Sequence, residues 1–161
     1  MKLINYYNKP VCFLLFIFII GISGVNARQN IPALIPLPHK VEWNDGQFLL
    51  SEKTVVNVTD SNLRNYFISQ IKSLTGLQLV SGSISGNNNN NTILFTIDET
   101  IKKTNREAYS LSVLKQRIVV KGSGEEALFR GMQTLFQLIP AFAKTDKNEK
   151  TIEIPCCNIS D

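Results

Sequence analysis

Histidine is almost absent: of 161 residues only His39 carries an imidazole. A single histidine excludes a multi-histidine metal site. Cysteine is nearly as scarce, with Cys12 near the start and Cys156 and Cys157 side by side near the end. Adjacent cysteines close on each other only in a strained eight-membered ring. They are therefore read as two free thiols or two thiols with separate partners, and a redox switch is the less favoured use. The chain is no disulfide-stapled scaffold and must rely on a packed core. Also missing are HExxH, a glycine-rich phosphate loop, GxSxG and any CxxC pair, which leaves the common metal, nucleotide and hydrolase signatures without support. Lysine and arginine outnumber the acids 17 to 13, for a net charge of +4. The basic residues are scattered among acids and form no stripe interleaved with aromatics, so a nucleic-acid partner gains nothing from them.

The start of the chain has the three parts of an export leader. Lys2 and Lys9 give a positive beginning, Val11–Ile22 (VCFLLFIFIIGI) is a short charge-free apolar core, and Val25-Asn26-Ala27 supplies the small-residue cleavage pattern. The apolar core is short for a bilayer span, which weighs against a retained anchor. Residues 1–27 are read as a signal peptide, and residues 28–161 as one domain's worth of mature chain. Such a protein is secreted or periplasmic, or lysosomal in a eukaryote, with no membrane attachment after cleavage.

The mature chain begins with Ile31–Pro38 (IPALIPLP), whose three prolines forbid a helix and favour an extended segment on the surface. Val41–Trp43 and Gln47–Leu50 read as short strands about the turn Asn44-Asp45-Gly46. Thr54–Thr59 is a β-branched strand. Asp60 or Ser61 then caps a helix whose apolar face is Leu63, Phe67, Ile71 and Leu74, and Gly76 closes it. Leu77–Val80 and Thr92–Asp98 read as strands. Between them Asn87–Asn91 has no apolar face and reads as a solvated loop. Tyr109–Lys121 (YSLSVLKQRIVVK) predicts a hairpin.

The clearest element is Glu125–Ile139 (EEALFRGMQTLFQLI). Leu128, Met132, Leu135, Phe136 and Ile139 recur at helical spacing, Glu125 and Glu126 suit the positive end of the helix dipole, and Pro140 stops it. Lys121–Gly124 (KGSG) ahead of it frees the backbone to turn. Ala141–Lys150 reads as a charged loop and Thr151–Pro155 as an edge strand ending at proline. This order predicts an α+β fold, with a single mainly antiparallel sheet and two amphipathic helices packed on one face. The other face is expected to be partly apolar and open to another domain.

Candidate chemistry is thin. His39, between Pro38 and Lys40, reads as a surface residue. Asp98-Glu99 are paired carboxylates, but at a strand end they read as a solvated terminus. Trp43 could stack on a sugar, although a tryptophan beside a turn is more often a lid on the core. Asn57-Val58-Thr59, Asn90-Asn91-Thr92 and Asn158-Ile159-Ser160 match the glycan acceptor pattern, which matters only in a eukaryote.

Four stretches taken together resemble a family. Ile35-Pro36-Leu37-Pro38, Val41-Glu42-Trp43 and Gly46-Gln47-Phe48-Leu49-Leu50 are similar to the "P-x-P…G-x-F-x-L" opening of family 20 glycoside hydrolases, the β-N-acetylhexosaminidases. Glu107-Ala108-Tyr109-Ser110-Leu111-Ser112-Val113 resembles their "E-x-Y-x-L-x-V" strand, and Gly131–Ile139 (GMQTLFQLI) their "G-x-Q-T-L-x-Q-L" helix. Ile154-Pro155 with Ile159-Ser160-Asp161 resembles the lead-in to their catalytic barrel. Each motif alone is weak, but four in order over residues 31–161 are fairly specific. Ala127 stands where the family often has glycine, and Arg130 where it often has an aromatic.

The resemblance implies a non-catalytic N-terminal domain, residues 28–155, with residues 156–161 starting the lead-in to a barrel that is not in this chain. In the full-length enzyme the barrel would hydrolyse terminal β-linked N-acetylhexosamines by substrate assistance, an exception to the two-carboxylate scheme. The sugar's own acetamide attacks, while an Asp-Glu pair beyond Asp161 orients it and protonates the leaving group. On this reading the chain has no catalytic, substrate-binding, cofactor or metal residue of its own and needs no cofactor. Its partner is the barrel of the same polypeptide, and glycan is met only through it. The rival readings are a free-standing glycan-binding module using Trp43 and the asparagine loop, or the N-terminal domain of another glycosidase family.

Overall fold

A computed structural model describes residues 32–83, 90–101, 106–140, 144–146 and 149–161. The leader and most of the asparagine run lie outside the described residues. The strands are β1 (Lys40–Leu50), β2 (Val55–Val58), β3 (Val80–Ser81), β4 (Thr92–Ile97), β5 (Tyr109–Val113), β6 (Arg117–Gly122), β7 (Lys144–Asp146) and β8 (Glu149–Ser160). The helices are α1 (Ser61–Thr75) and α2 (Glu125–Leu138).

Seven strands form one sheet in the order β1-β8-β5-β6-β4-β2-β3, and β7 pairs with the start of β8. The sheet is mixed, which corrects the expectation of a mainly antiparallel one. β2 runs parallel to β3 and β4, and β4 runs parallel to β6. Only β1–β8, β8–β5 and β5–β6 among these seven are antiparallel. The cause lies in the connections. A strand followed by a helix and another strand returns to the same end of the sheet, so α1 carries the chain from β2 to a parallel β3. In the same way α2 lies between β6 and β8. Both of these strands are antiparallel to β5, so they point the same way.

Two irregularities also differ from the sequence reading. Asn44-Asp45-Gly46 is a bulge inside one long strand, where the ladder passes from Trp43↔Cys157 to Gln47↔Pro155. Gly46 has φ +106, a left-handed conformation that favours glycine, while the flexible Lys115 side chain that lies where a Cβ would sit could move aside. At the other end, β8 does not stop at Pro155. It runs on to Ser160 as an interior strand between β1 and β5, so residues 156–160, expected to begin a lead-in, are sheet. Proline is tolerated because β5 pairs with β8 only from Cys157 onward. The expected charged loop 141–150 contains β7 and the start of β8.

Local signals place the helices. The Asp60 side chain accepts from the Leu63 N–H at 2.6 Å at the start of α1, and Gly76 (φ +73) closes it with its N–H on the Lys72 carbonyl. The buried stripe of α1 is Phe67, Ile71 and Thr75, leaving Leu74 on its edge and 55% exposed. Helix α2 buries Ala127, Leu128, Gly131, Met132, Thr134, Leu135 and Leu138. Phe67 stands edge-on to Phe95 of β4, with ring centres 5.1 Å apart, and stacks on Phe136 of α2 at 5.5 Å. The Tyr109 hydroxyl meets Thr134 Oγ1 at 2.7 Å, tying β5 to α2.

Strand alternation then decides the character of each sheet face. Val56, Val58, Ile93, Phe95, Leu111, Val113, Ile118, Val120, Cys157 and Ile159 lie on one face and are buried. The opposite positions on the central strands are Ser110, Ser112, Val119, Lys121, Asn158 and Ser160. Ser112 donates to Asn158 Oδ1 at 2.7 Å across the ladder. The sequence reading expected this second face to be partly apolar. That face carries apolar residues too: Leu94 and Val119 alternate with the buried positions of β4 and β6, and Ile154 and Cys156 of β8 share it with Asn158.

Candidate functional site

Large apolar side chains are exposed on strands, as at Leu49, Val80 and Ile97, and also beside the helices. Ile35 (77% exposed) and Leu37 (81%) belong to the proline-rich start, Phe129 (43%) to α2 and Tyr66 (38%) to α1. Gln137 holds the proline-rich segment in place through a reciprocal pair. The Ile35 N–H donates to Gln137 Oε1 at 2.8 Å, and Gln137 Nε2 donates to the Ile35 carbonyl at 3.1 Å. Tyr66 and Phe129 lie with ring centres 5.7 Å apart. Between these elements opens a cleft of about 700 Å³, lined by Ile35, Pro36, Leu63, Phe129, Gln133 and Gln137 together with several acids. Gln133 Nε2 is buried without a hydrogen-bond partner.

Five carboxylates border this cleft: Asp60, Glu107, Glu125, Glu126 and Asp161. None of them is buried. Asp60 caps α1, Glu107 pairs with Arg130, and Asp161 Oδ1 accepts from the His39 N–H at 3.0 Å. Glu125 and Glu126 stand exposed in the first turn of α2. Glycosidic chemistry needs a carboxyl kept protonated by a dry setting close to a second one that is ionised. Solvent-facing acids engaged in a cap, an ion pair and a strand-end contact do not provide it.

The other sequence candidates are held by structural contacts. Asp98 accepts from the Thr100 N–H at 3.0 Å, from Thr100 Oγ1 at 2.6 Å and from Lys121 Nζ at 2.9 Å. The Thr100 hydroxyl, then Lys121, lower its pKa to about 2. These bonds thus favour the fold above the ordinary carboxylate range and stop doing so as pH falls toward 2. His39 is exposed. Trp43 is partly buried against the core, as a lid would be. Asn91, the last of the asparagine run, is a pin: it has φ +56, accepts from Thr54 Oγ1 at 2.7 Å and donates to Ser51 Oγ at 3.2 Å. Of the three glycan-acceptor asparagines, Asn57 is half-buried while Asn90 and Asn158 are exposed.

Cys156 and Cys157 are free and buried. As neighbours on a strand they point to opposite faces. Burial raises both thiols, Cys157 to about 12, which suppresses the reactive thiolate. In a chain beginning at Arg28, a small disulfide reagent at pH 8 is expected to label neither thiol while the protein is folded, and both in denaturant. Labelling of the native protein within seconds would show that β8 opens locally.

Sequence reasoning overlooked the cleft because no residue in it carries a catalytic signature. Its one sequence trace is the pair Gln133 and Gln137, four apart on α2 and therefore on one helix face.

A family profile described as "Glycosyl hydrolase family 20, domain 2" matches residues 31–161. The chain belongs to glycoside hydrolase family 20. Solved structures of the family agree. A family 20 exo-β-N-acetylglucosaminidase from Vibrio harveyi is 26% identical with a TM-score of 0.61, over 81% of this chain and 20% of that one. A chitobiase from Flavobacterium johnsoniae is 28% identical with a TM-score of 0.56, over 80% and 20%. The Streptomyces plicatus N-acetyl-β-hexosaminidase, 20% identical, shares the fold with a TM-score of 0.64 over 82% and 27%. No curated protein matches. The chain thus spans about a fifth to a quarter of these family 20 structures.

Proposed function

We propose that this family 20 domain is the non-catalytic N-terminal support domain of an exported β-N-acetylhexosaminidase. The full enzyme would remove terminal β-linked N-acetylhexosamines by substrate assistance, with the Asp-Glu pair and the sugar-gripping arginine on polypeptide that follows Asp161. The leader 1–27 would direct it out of the cytoplasm. Within the domain, α1 and α2 would form one layer over the buried sheet face, and its role would be to hold the catalytic domain's fold.

The observation that carries this reading is the set of carboxylates around the cleft. The cleft beside α2 is bordered by acids, yet none of them is buried and three of them hold backbone or ion-pair positions. A free-standing sugar-binding role is weakened by Trp43, whose ring is packed against the core. The test is hydrolysis of a chromogenic N-acetyl-β-glucosaminide by this 161-residue chain. No turnover above the blank is expected, against ready turnover by the longer enzyme.

A further inference from the structure

We infer that the second sheet face binds an acidic glycan, whose carboxylates or sulfates meet Lys40, Arg117 and Lys121 while its hydroxyls meet the serines and asparagine between them. This goes beyond the support role, because it gives the domain a ligand of its own that is held and not cleaved.

Register builds the site. Lys40 of β1 stands opposite Ser160 of β8, Ser160 opposite Ser110 of β5, and Ser110 opposite Lys121 of β6. Directly paired residues share a face, so these four side chains form one row across the strands. Three strand spacings separate its ends, which bases the two lysines about 14 Å apart. The next row holds Asn158 and Ser112, and Arg117 lies on the same face of β6 two residues before Val119. A groove of about 420 Å³ lies over these residues, and no aromatic side chain lines it. Basic residues are scattered along the sequence, but strand pairing gathers three of them here.

Charge and hydrogen-bonding capacity decide the ligand. The groove is lined by three cations and one carboxylate, Glu42, whereas five carboxylates border the cleft beside α2. An anion is therefore drawn to the sheet face and repelled by the cleft. Arg117 is exposed and takes part in no ion pair among the described residues. Lys40 pairs with Glu42 at 2.7 Å and Lys121 with Asp98 at 2.9 Å. Pairs this open to solvent hold weakly, so a ligand anion can share both lysines. Ser112 donates to Asn158 Oδ1, which leaves the Asn158 amide N–H groups and the hydroxyls of Ser110 and Ser160 for sugar oxygens. With no aromatic ring for a base to stack on, the groove does not suit single-stranded nucleic acid.

The test is calorimetric titration of the 161-residue chain with oligogalacturonate and with a chondroitin sulfate oligosaccharide at low salt. Binding of at least one is expected, weakening as sodium chloride is raised and the contacts are screened. Arg117→Gln should weaken it about tenfold, and Lys40→Gln, at the end of the row, by a similar factor. Lys72→Gln on α1 removes the same charge from another surface and should leave binding unchanged. Circular dichroism establishes that each variant is folded, and two cations on separate strands keep the question decidable if one variant is not. No binding of either acidic glycan would overturn the proposal. So would an equal loss in Lys72→Gln, which would show attraction to net charge alone. Equal binding of a DNA oligonucleotide of matched charge would also overturn it, by showing that the sugars are not read. Hydrolysis by the longer enzyme is a separate readout, so each of these failures would leave the support role standing.

Discussion

Phe67→Ala is expected to destabilise the folded chain by about 3–5 kcal/mol, the range for emptying a fully packed aromatic site. Phe67 has no exposed surface, and its ring touches both Phe95 of the sheet and Phe136 of α2. One substitution therefore loses the transfer energy of the ring, opens a cavity and removes two aromatic contacts worth about 0.5–1.5 kcal/mol each beyond their area. It also uncouples three elements at once, since α1 meets β4 and α2 through this side chain. Domains of this size are stable by about 5–15 kcal/mol, so the substitution removes a large share of the total. Urea denaturation followed by circular dichroism measures the difference. Leu74→Ala on the same helix, at a residue 55% exposed, should change stability by no more than about 0.5 kcal/mol. A Phe67→Ala loss as small as that of Leu74→Ala would mean that the helices do not meet the sheet as described.

Gly122→Ala should cost about 3 kcal/mol, at the upper end for adding a methyl group to packed structure. A Cβ at Gly122 would lie 2.7 Å from the Leu128 backbone nitrogen, 2.9 Å from Ala127 Cβ and 3.0 Å from the Gly124 carbonyl oxygen. Two of these are main-chain atoms of the turn into α2, which cannot rotate aside as a side-chain tip would. Relief requires shifting the start of the helix, and with it Leu128 and Met132 in the core. The neighbouring Gly124 is the control. Its added Cβ would meet only Glu126 Oε2 at 3.6 Å, so Gly124→Ala should cost no more than about 1 kcal/mol. Equal losses at the two positions would show that the KGSG stretch needs conformational freedom and not space. The same denaturation experiment decides it.

That contrast shows where the sequence was readable and where it was not. KGSG announced a turn, but nothing in four letters says that the first glycine lies under the next helix. Helix periodicity and caps are local, so Asp60, Gly76 and the buried face of α2 could be read directly. The hairpin of β5 and β6 was equally local. Strand neighbours are not: the pattern of β2 or β4 looks the same whether its partner runs parallel or antiparallel. The helical crossovers held that information and implied the parallel pairs. Pro155 misled for a related reason, because its fit depends on where β5 ends. The make-up of the second sheet face was not local either, because only register gathers Ser110, Ser112 and Lys121 with Asn158 and Ser160 on one surface. The cleft was invisible since it joins Ile35 to Gln137, residues 102 positions apart. The family motifs supplied what local reading could not, and they did so without placing a reactive group in this segment.

On the proposed function, residues 31–161 contribute structure and no chemistry. Incubating the purified chain with 4-nitrophenyl N-acetyl-β-glucosaminide, beside the longer enzyme at equal molarity, tests it most directly. Nitrophenol release at the blank rate from the short chain, with rapid release from the longer one, is the predicted result. Steady release by the short chain that survives repurification and saturates with substrate would contradict it.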